Sequence, residues 1–329
     1  MVQGKIETIR NYRKNYKNYI SIILNLLRKK ETIKVITREG SIAKLNPSSI
    51  YLLSRYVTLG YEPREIINAL NRVFEGDFGL IENELSIVLY LMLKEKLNVE
   101  DSLKCLNSEC IQYNGLKVQL HSPKKFLGTI NEIFIQEDYK SLNVKDKLVI
   151  DIGANIGDSA IYFALKGADK IIALEPYPYL HSFAKRNIVE NNMDDKIMLL
   201  NQGYGKDGII NVPKELLAWK DVNNLVHAND NEISIQIRSL TSLTNEFGIK
   251  NAILKMDCEG CELNLLHENN QSLRAFEQIQ IEYHYGYKKL IRKLNSAGFK
   301  TKYTKPIKFY SQDSNSMMKV GWIYGIRID

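Results

Sequence analysis

The 329-residue chain reads as an α/β protein: a parallel sheet covered by helices on both faces, preceded by a small N-terminal helical region. Three observations lead there. From Lys147 onward, short apolar runs alternate with helical patterns, which is how strands buried on both faces and their crossover helices are written. Residues 46 to 97 carry helix signals alone. A tight glycine-containing turn, residues 151 to 159, joins the first apolar run to the helix after it.

Composition narrows the class. Apolar residues make up 44% and charged ones 25%, ordinary for a chain that buries a core, which excludes disordered and fibrous readings. The longest apolar runs, Tyr19 to Leu27 and Ile87 to Leu93, fall short of the ~20 residues of a bilayer span. The basic start lacks a small-residue cleavage site, so a cytoplasmic location is expected. Four cysteines are too few for a disulfide framework, and Cys105, Cys110, Cys258 and Cys261 are read as small buried residues rather than metal ligands. The net charge of +7 sits wholly within residues 1 to 30, which hold eight basic side chains and Glu7. The pI of 8.9 therefore describes an arm.

In chain order, that arm (1–32) places Ile9, Tyr12, Tyr16, Tyr19, Ile23 and Leu26 at helical spacing, one seam with basic flanks. Docking on its own body is expected first; self-pairing into a homodimer through residues 9–26, then contact with an anionic membrane or RNA, are the alternatives. A helical domain follows at 33–104. Asn46-Pro47 starts one helix, Pro63 a second, and Glu82 to Leu97 forms a third. The remaining 105–329 is one domain. It opens with a hairpin about Asn114-Gly115 and a short helix over 126 to 139. Strands are expected at 148–152, 171–174, 197–200, 253–256 and 279–283, with a closing hairpin from 299–303 and 320–327.

Chemistry concentrates at three places. Asp151-Ile-Gly153-Ala-Asn155-Ile-Gly157 ends a strand and opens a helix, and its glycines let backbone approach a ligand. The spacing is not that of a dinucleotide turn, and an acid at 151 suits a cationic ligand. S-adenosylmethionine fits better than a nicotinamide cofactor. Glu175, at the end of the next strand and 18 residues after Gly157, is placed to accept from ribose hydroxyls. Lys255 and Asp257 share a strand face, and Glu282 and His284 repeat the spacing; in register, Lys255 would pair with Glu282 and Asp257 with His284.

These runs, with the block Lys255-Met-Asp257-Cys-Glu259-Gly-Cys-Glu262, resemble the FkbM-type family of S-adenosylmethionine-dependent methyltransferases over residues 110 to 328. The resemblance implies a Rossmann-like seven-stranded methyltransferase sheet and O-methylation of a hydroxyl on a sugar, glycan or secondary metabolite. By position it implies Asp151, Gly153, Asn155 and Gly157 at the cofactor's amino acid end, Glu175 at its ribose, and Asp257, Glu259 and His284 at the transfer site.

The mechanism expected is proton removal from the acceptor by His284, oriented by Asp257, with Glu259 holding the acceptor. The competing version is a Mg²⁺ ion on Asp257, Glu259, Glu262 and His284. The acceptor pocket is expected from Gln202 to Val226, with Tyr204, Trp219 and His227, and from the helical unit; Tyr204 and Trp219 either stack on a sugar face or plug the sheet edge. Rival functions are an RNA or protein methyltransferase using the arm, a non-catalytic S-adenosylmethionine-binding protein, and a dehydrogenase.

Overall fold

The computed structural model describes residues 2–74, 82–122, 127–213, 232–311 and 316–328. They form two compact units. The first runs to Val118 and takes back the turn ending at Asn131; the second begins at Gln119 and resumes from Glu132 to the end.

The first unit starts with α1 (Val2–Asn15) and α2 (Tyr19–Leu27), not one continuous helix. The break is made by β1 (Ile33–Ile36), which offers hydrogen bonds a helix cannot match. Lys17 donates its N–H to the Ile36 carbonyl at 2.8 Å, and the Asn18 side chain donates to the Lys34 carbonyl and accepts from the Ile36 N–H. The expected seam is split accordingly: Tyr12 and Tyr16 are buried, Ile22 replaces Ile23 as the buried residue of α2, and Ile9 is exposed. The Tyr16 hydroxyl donates to the Ile50 carbonyl, so this part of the arm docks on its own unit. β1 pairs antiparallel with β2 (Ile42–Leu45).

Next come α3 (Pro47–Thr58), α4 (Pro63–Phe74) and α5 (Glu82–Leu93), as the sequence indicates. Asn46 caps α3 by accepting from the Ser49 N–H at 2.8 Å, with Pro47 at the first helical position. A further helix, α6 (Val99–Asn107), is capped in the same way by Asn98. The hairpin of β3 (Cys110–Tyr113) and β4 (Leu116–Gln119) follows. The helix expected over 126–139 is shorter: α7 (Leu127–Ile130) runs into a π-helical turn at Asn131–Ile135, and Glu137, at φ 52°, stops it.

The second unit is built on β5 (Leu148–Ile152), α8 (Asp158–Leu165), β6 (Lys170–Leu174), α9 (Pro178–Glu190) and β7 (Ile197–Leu200). A small separate sheet, β8 (Gln202–Tyr204), β9 (Gly208–Pro213) and β10 (Glu232–Arg238), interrupts the alternation. Then follow α10 (Leu240–Glu246), β11 (Ala252–Met256), a 3-10 helix at Cys261–His267, α11 (Asn270–Leu273), β12 (Phe276–Tyr283), α12 (Lys288–Ser296), β13 (Phe299–Tyr303), β14 (Ile307–Ser311) and β15 (Ser316–Arg327).

The main sheet runs β13-β15-β12-β11-β5-β6-β7, and β14 pairs with the free half of β15. Seven strands follow the expected Rossmann-like order, with β15 antiparallel to both its neighbours. β14 is an eighth, made possible because β15 is 12 residues long. The central strands are sealed on both faces: Ile150, Leu174, Leu254, Met256 and Ile281 are wholly buried. The strand order reverses beside β5, which leads one crossover to each side and opens a crevice above the carboxyl ends of β5, β6 and β11.

Candidate functional site

The turn after β5 is shaped first by the chain itself. At Gly153, φ is 80° and a Cβ would lie 1.8 Å from the Asp257 carbonyl oxygen, so a glycine is required by the exit of β11. The sequence reading assigned that space to a ligand; the neighbouring backbone fills it. Gly157, at φ 84°, caps α8 and lies against Ala184 of α9. Asn155 between them is left-handed, at φ 52°. Its N–H donates to Glu175 Oε2 at 2.9 Å, and the Tyr177 N–H donates to Glu175 Oε1 at 2.9 Å. Burial pushes the Glu175 carboxyl up to about 7 in spite of these donors.

Asp151 is wholly buried, and its partner is Lys255, the residue expected to pair with Glu282. Lys255 Nζ lies 2.9 Å from Asp151 Oδ1, and Ser159 Oγ donates to Asp151 Oδ2 at 2.6 Å. The register explains this. β11 sets Lys255 opposite Asp151 on β5 and opposite Gln280 on β12, two residues from the expected pairing. A one-residue irregularity between Ala252 and Ile253 lies at the start of this pairing. Lys255 Nζ also donates to the Gly153 carbonyl at 2.7 Å and lies over the Tyr139 ring. Burial opposes its charge, but Asp151 and Asp257 outweigh that and hold its pKa above the ordinary lysine value.

A buried acid with an unpartnered oxygen is Asp158, which sequence reasoning passed over. It is buried, its Oδ2 has no hydrogen-bond partner, and burial pushes its carboxyl up to about 7. Asn155 Oδ1 is a second buried acceptor without a partner. Each of these unpartnered oxygens can accept from an N–H donor such as an ammonium group. The signal was in the sequence: an acid as the first residue of the helix after the glycine turn.

At the rim, Asp257, Glu259, Glu282 and His284 come together. Asp257 accepts from the Tyr139 hydroxyl at 3.3 Å. Burial, then the Asp257 charge, holds Glu282 well above the usual carboxylate range. The expected Asp257–His284 pair is replaced. Buried His284 takes its orientation from Glu262, wholly buried at the head of the 3-10 helix: Glu262 Oε1 accepts the His284 backbone N–H at 2.8 Å and faces Nδ1 at 3.6 Å. Nε2 faces Glu259 at 3.3 Å and Glu282 at 4.0 Å. Among the described residues, Asp257, Glu282 and His284 have ligand-type atoms within 4.8 Å of one another. Burial works against the His284 imidazolium, but Glu262, Glu259 and Asp257 more than offset it and raise its pKa.

Glu259, at φ 54°, sits inside a loop closed by a Cys258–Cys261 disulfide, contrary to the expectation of two plain buried thiols; Cys105 and Cys110 are free and buried as expected. Of the two readings of Tyr204 the structural one holds: the ring is buried, and its hydroxyl donates to Glu268 at 3.2 Å. Trp219 and His227 lie outside the described residues. No described helix is long and apolar enough to cross a membrane.

The chain is similar to known proteins over part of its length. Residues 151–301 match the methyltransferase FkbM domain. The chain is 31% identical over 147 residues to uncharacterized protein 158B of Sulfolobus islandicus rod-shaped virus 1, covering 44% of this chain and 66% of that one. It is 33% identical over 84 residues to a putative protein N5-glutamine methyltransferase of Methanocaldococcus jannaschii, covering 26% and 41%. A tRNA(Phe) (4-demethylwyosine(37)-C(7)) aminocarboxypropyltransferase of Pyrococcus horikoshii is 32% identical over 90 residues, covering 27% and 31%. The chain thus spans from about a third to just under two thirds of the length of these relatives. Among solved structures, a putative transferase of Pyrococcus horikoshii superposes with a TM-score of 0.38 at 14% identity, over 67% of this chain and 72% of that one.

Proposed function

From the premise that residues 151–301 are an FkbM methyltransferase domain, with S-adenosylmethionine as methyl donor, we propose that the protein transfers a methyl group to a hydroxyl oxygen. The acceptor class we favour is a small molecule or glycan. The observation that carries this reading is the seating of His284: one buried imidazole, anchored by a buried carboxylate on its Nδ1 side, with Nε2 turned toward the acid-lined rim. A hydroxyl must lose its proton as it attacks, and a neutral imidazole seated in this way can take it.

The donor supplies an electrophilic methyl group on a sulfonium. Asn155 and Asp158 would accept from its ammonium, and Glu175, once ionised, from its ribose hydroxyls. Asp151 acts at one remove: with Lys255 it holds the turn that presents these acceptors. His284 Nε2 would take the acceptor's hydroxyl proton as the oxygen–carbon bond forms and the methyl–sulfur bond breaks, the electron pair leaving with the sulfur as a neutral thioether. Glu262 stabilises the resulting imidazolium through Nδ1, and Glu259, exposed on its strained loop, holds the acceptor. Orientation of the nucleophile against the methyl group supplies the rest of the rate.

The test is to incubate the full chain with methyl-labelled donor and separate pools of hydroxylated small molecules, glycans, RNA and protein, and then to identify the labelled bond. A methyl ether formed by the wild type and lost in His284→Ala is expected. Label on a base nitrogen or on a side-chain amide would overturn the hydroxyl reading while leaving the methyltransferase intact.

A further inference from the structure

We infer that α2 is a docking element for an anionic lipid surface, independent of the reaction proposed above. The helix buries Ile22 against its own unit, but its outward side carries Ile20, Leu24 and Leu27, which are 58%, 47% and 75% exposed. Their i, i+4, i+7 spacing aligns them in one stripe. Exposed cations bracket that stripe: Lys17 before it and Arg28, Lys29 and Lys30 after it, with Arg10, Arg13 and Lys14 on the preceding helix.

A second feature points the same way. In the hairpin tied to the start of α2, Lys34 and Lys44 stand directly across from one another, both exposed. Like charges in that position destabilise a strand pair, so folding does not explain them. An outside anion does.

The chemistry selects the occupant. A second copy would bring another arm of the same positive charge against this one, which opposes self-pairing. The exposed stripe of α2 is aliphatic and has no aromatic plane for a base, which disfavours single-stranded RNA. An aliphatic stripe with a basic border matches a bilayer with acidic headgroups, where the stripe enters the acyl boundary and the lysines stay among the phosphates.

The experiment is flotation of the full chain with phosphatidylcholine vesicles, with and without phosphatidylglycerol. Wild type is expected to float only with the acidic vesicles and to be released by salt. Leu24→Glu/Leu27→Glu and, separately, Lys29→Glu/Lys30→Glu should each weaken binding by about tenfold or more while the unfolding transition stays in place. Binding to neither vesicle, or equally to both, overturns the proposal, and the wild type alone decides that. RNA binding that survives the leucine changes would make the arm a nucleic-acid contact. A dimer dissolved by the leucine changes would make it a self-interface. Either result also overturns it.

Discussion

Replacing Lys255 with methionine tests the central electrostatic claim, that one buried ammonium neutralises Asp151 and organises the turn. Both side chains are essentially inaccessible, 2% and 0% exposed, and their charged atoms are 2.9 Å apart. Lys255→Met leaves the Asp151 carboxylate without its cation and the Gly153 carbonyl without its 2.7 Å donor. Breaking a buried pair from one side costs about 3–5 kcal/mol. With a slope of about 2 kcal/mol per molar urea, the midpoint for the second unit falls by roughly 1.5–2.5 M. Asp151→Leu costs a similar amount from the other side. The double variant replaces the pair with apolar groups and should be more stable than either single variant, since the desolvation of both charges is avoided. Urea titrations followed by near-ultraviolet circular dichroism measure all four proteins. If the single losses simply add in the double variant, Lys255 and Asp151 do not act on each other and the account of the turn fails.

Gly153→Ala should lose more than about 2 kcal/mol, because its methyl would overlap the Asp257 carbonyl; wild-type thermal stability would show that the β11 exit yields freely. Donor affinity should strengthen as pH rises from 6 to 8. A carboxyl raised to about 7 is protonated below that pH, and only its ionised form accepts from both ribose hydroxyls; calorimetry showing a flat profile in that range removes Glu175 from the donor site. His284→Ala should lower kcat about 10²–10⁴-fold with donor affinity unchanged. The base must be neutral to act, so the acidic limb of kcat lies above the ordinary histidine value, and Glu262→Gln should shift it to lower pH, as pH–rate profiles will show. Cys258 and Cys261 should resist alkylation in denaturant until reduced, whereas Cys105 and Cys110 react at once. Replacing the bridged pair with serines should cost about 2 kcal/mol by loop entropy, read from thermal unfolding.

The features legible from residue order are those made by neighbours in the chain. Asn46-Pro47 starts a helix, Asn114-Gly115 turns a hairpin, and Asp151 to Gly157 passes from strand to helix, because each depends on contiguous backbone dihedrals and local hydrogen bonds. The alternation of apolar runs and helices from Lys147 likewise announces the sheet, since burial on both faces is a property of each strand alone. Asp257, Glu259 and His284 were gathered correctly at one rim for the same reason: strand ends in this architecture meet.

Partnership across strands was not legible. The β11–β12 register sets Lys255 opposite Gln280, two residues from Glu282, which preserves which face each side chain occupies and changes what stands opposite it. Lys255 meets Asp151 on the other neighbouring strand instead of Glu282, and Glu262 of the 3-10 helix instead of Asp257 anchors His284. The arm was divided in the same manner, by β1 hydrogen bonds from a segment distant in sequence. Periodicity assigns a side chain to a face, but only chain segments packed against each other determine which charge it meets, because Coulomb and hydrogen-bond energies depend on ångström-scale separations that no spacing along the chain encodes.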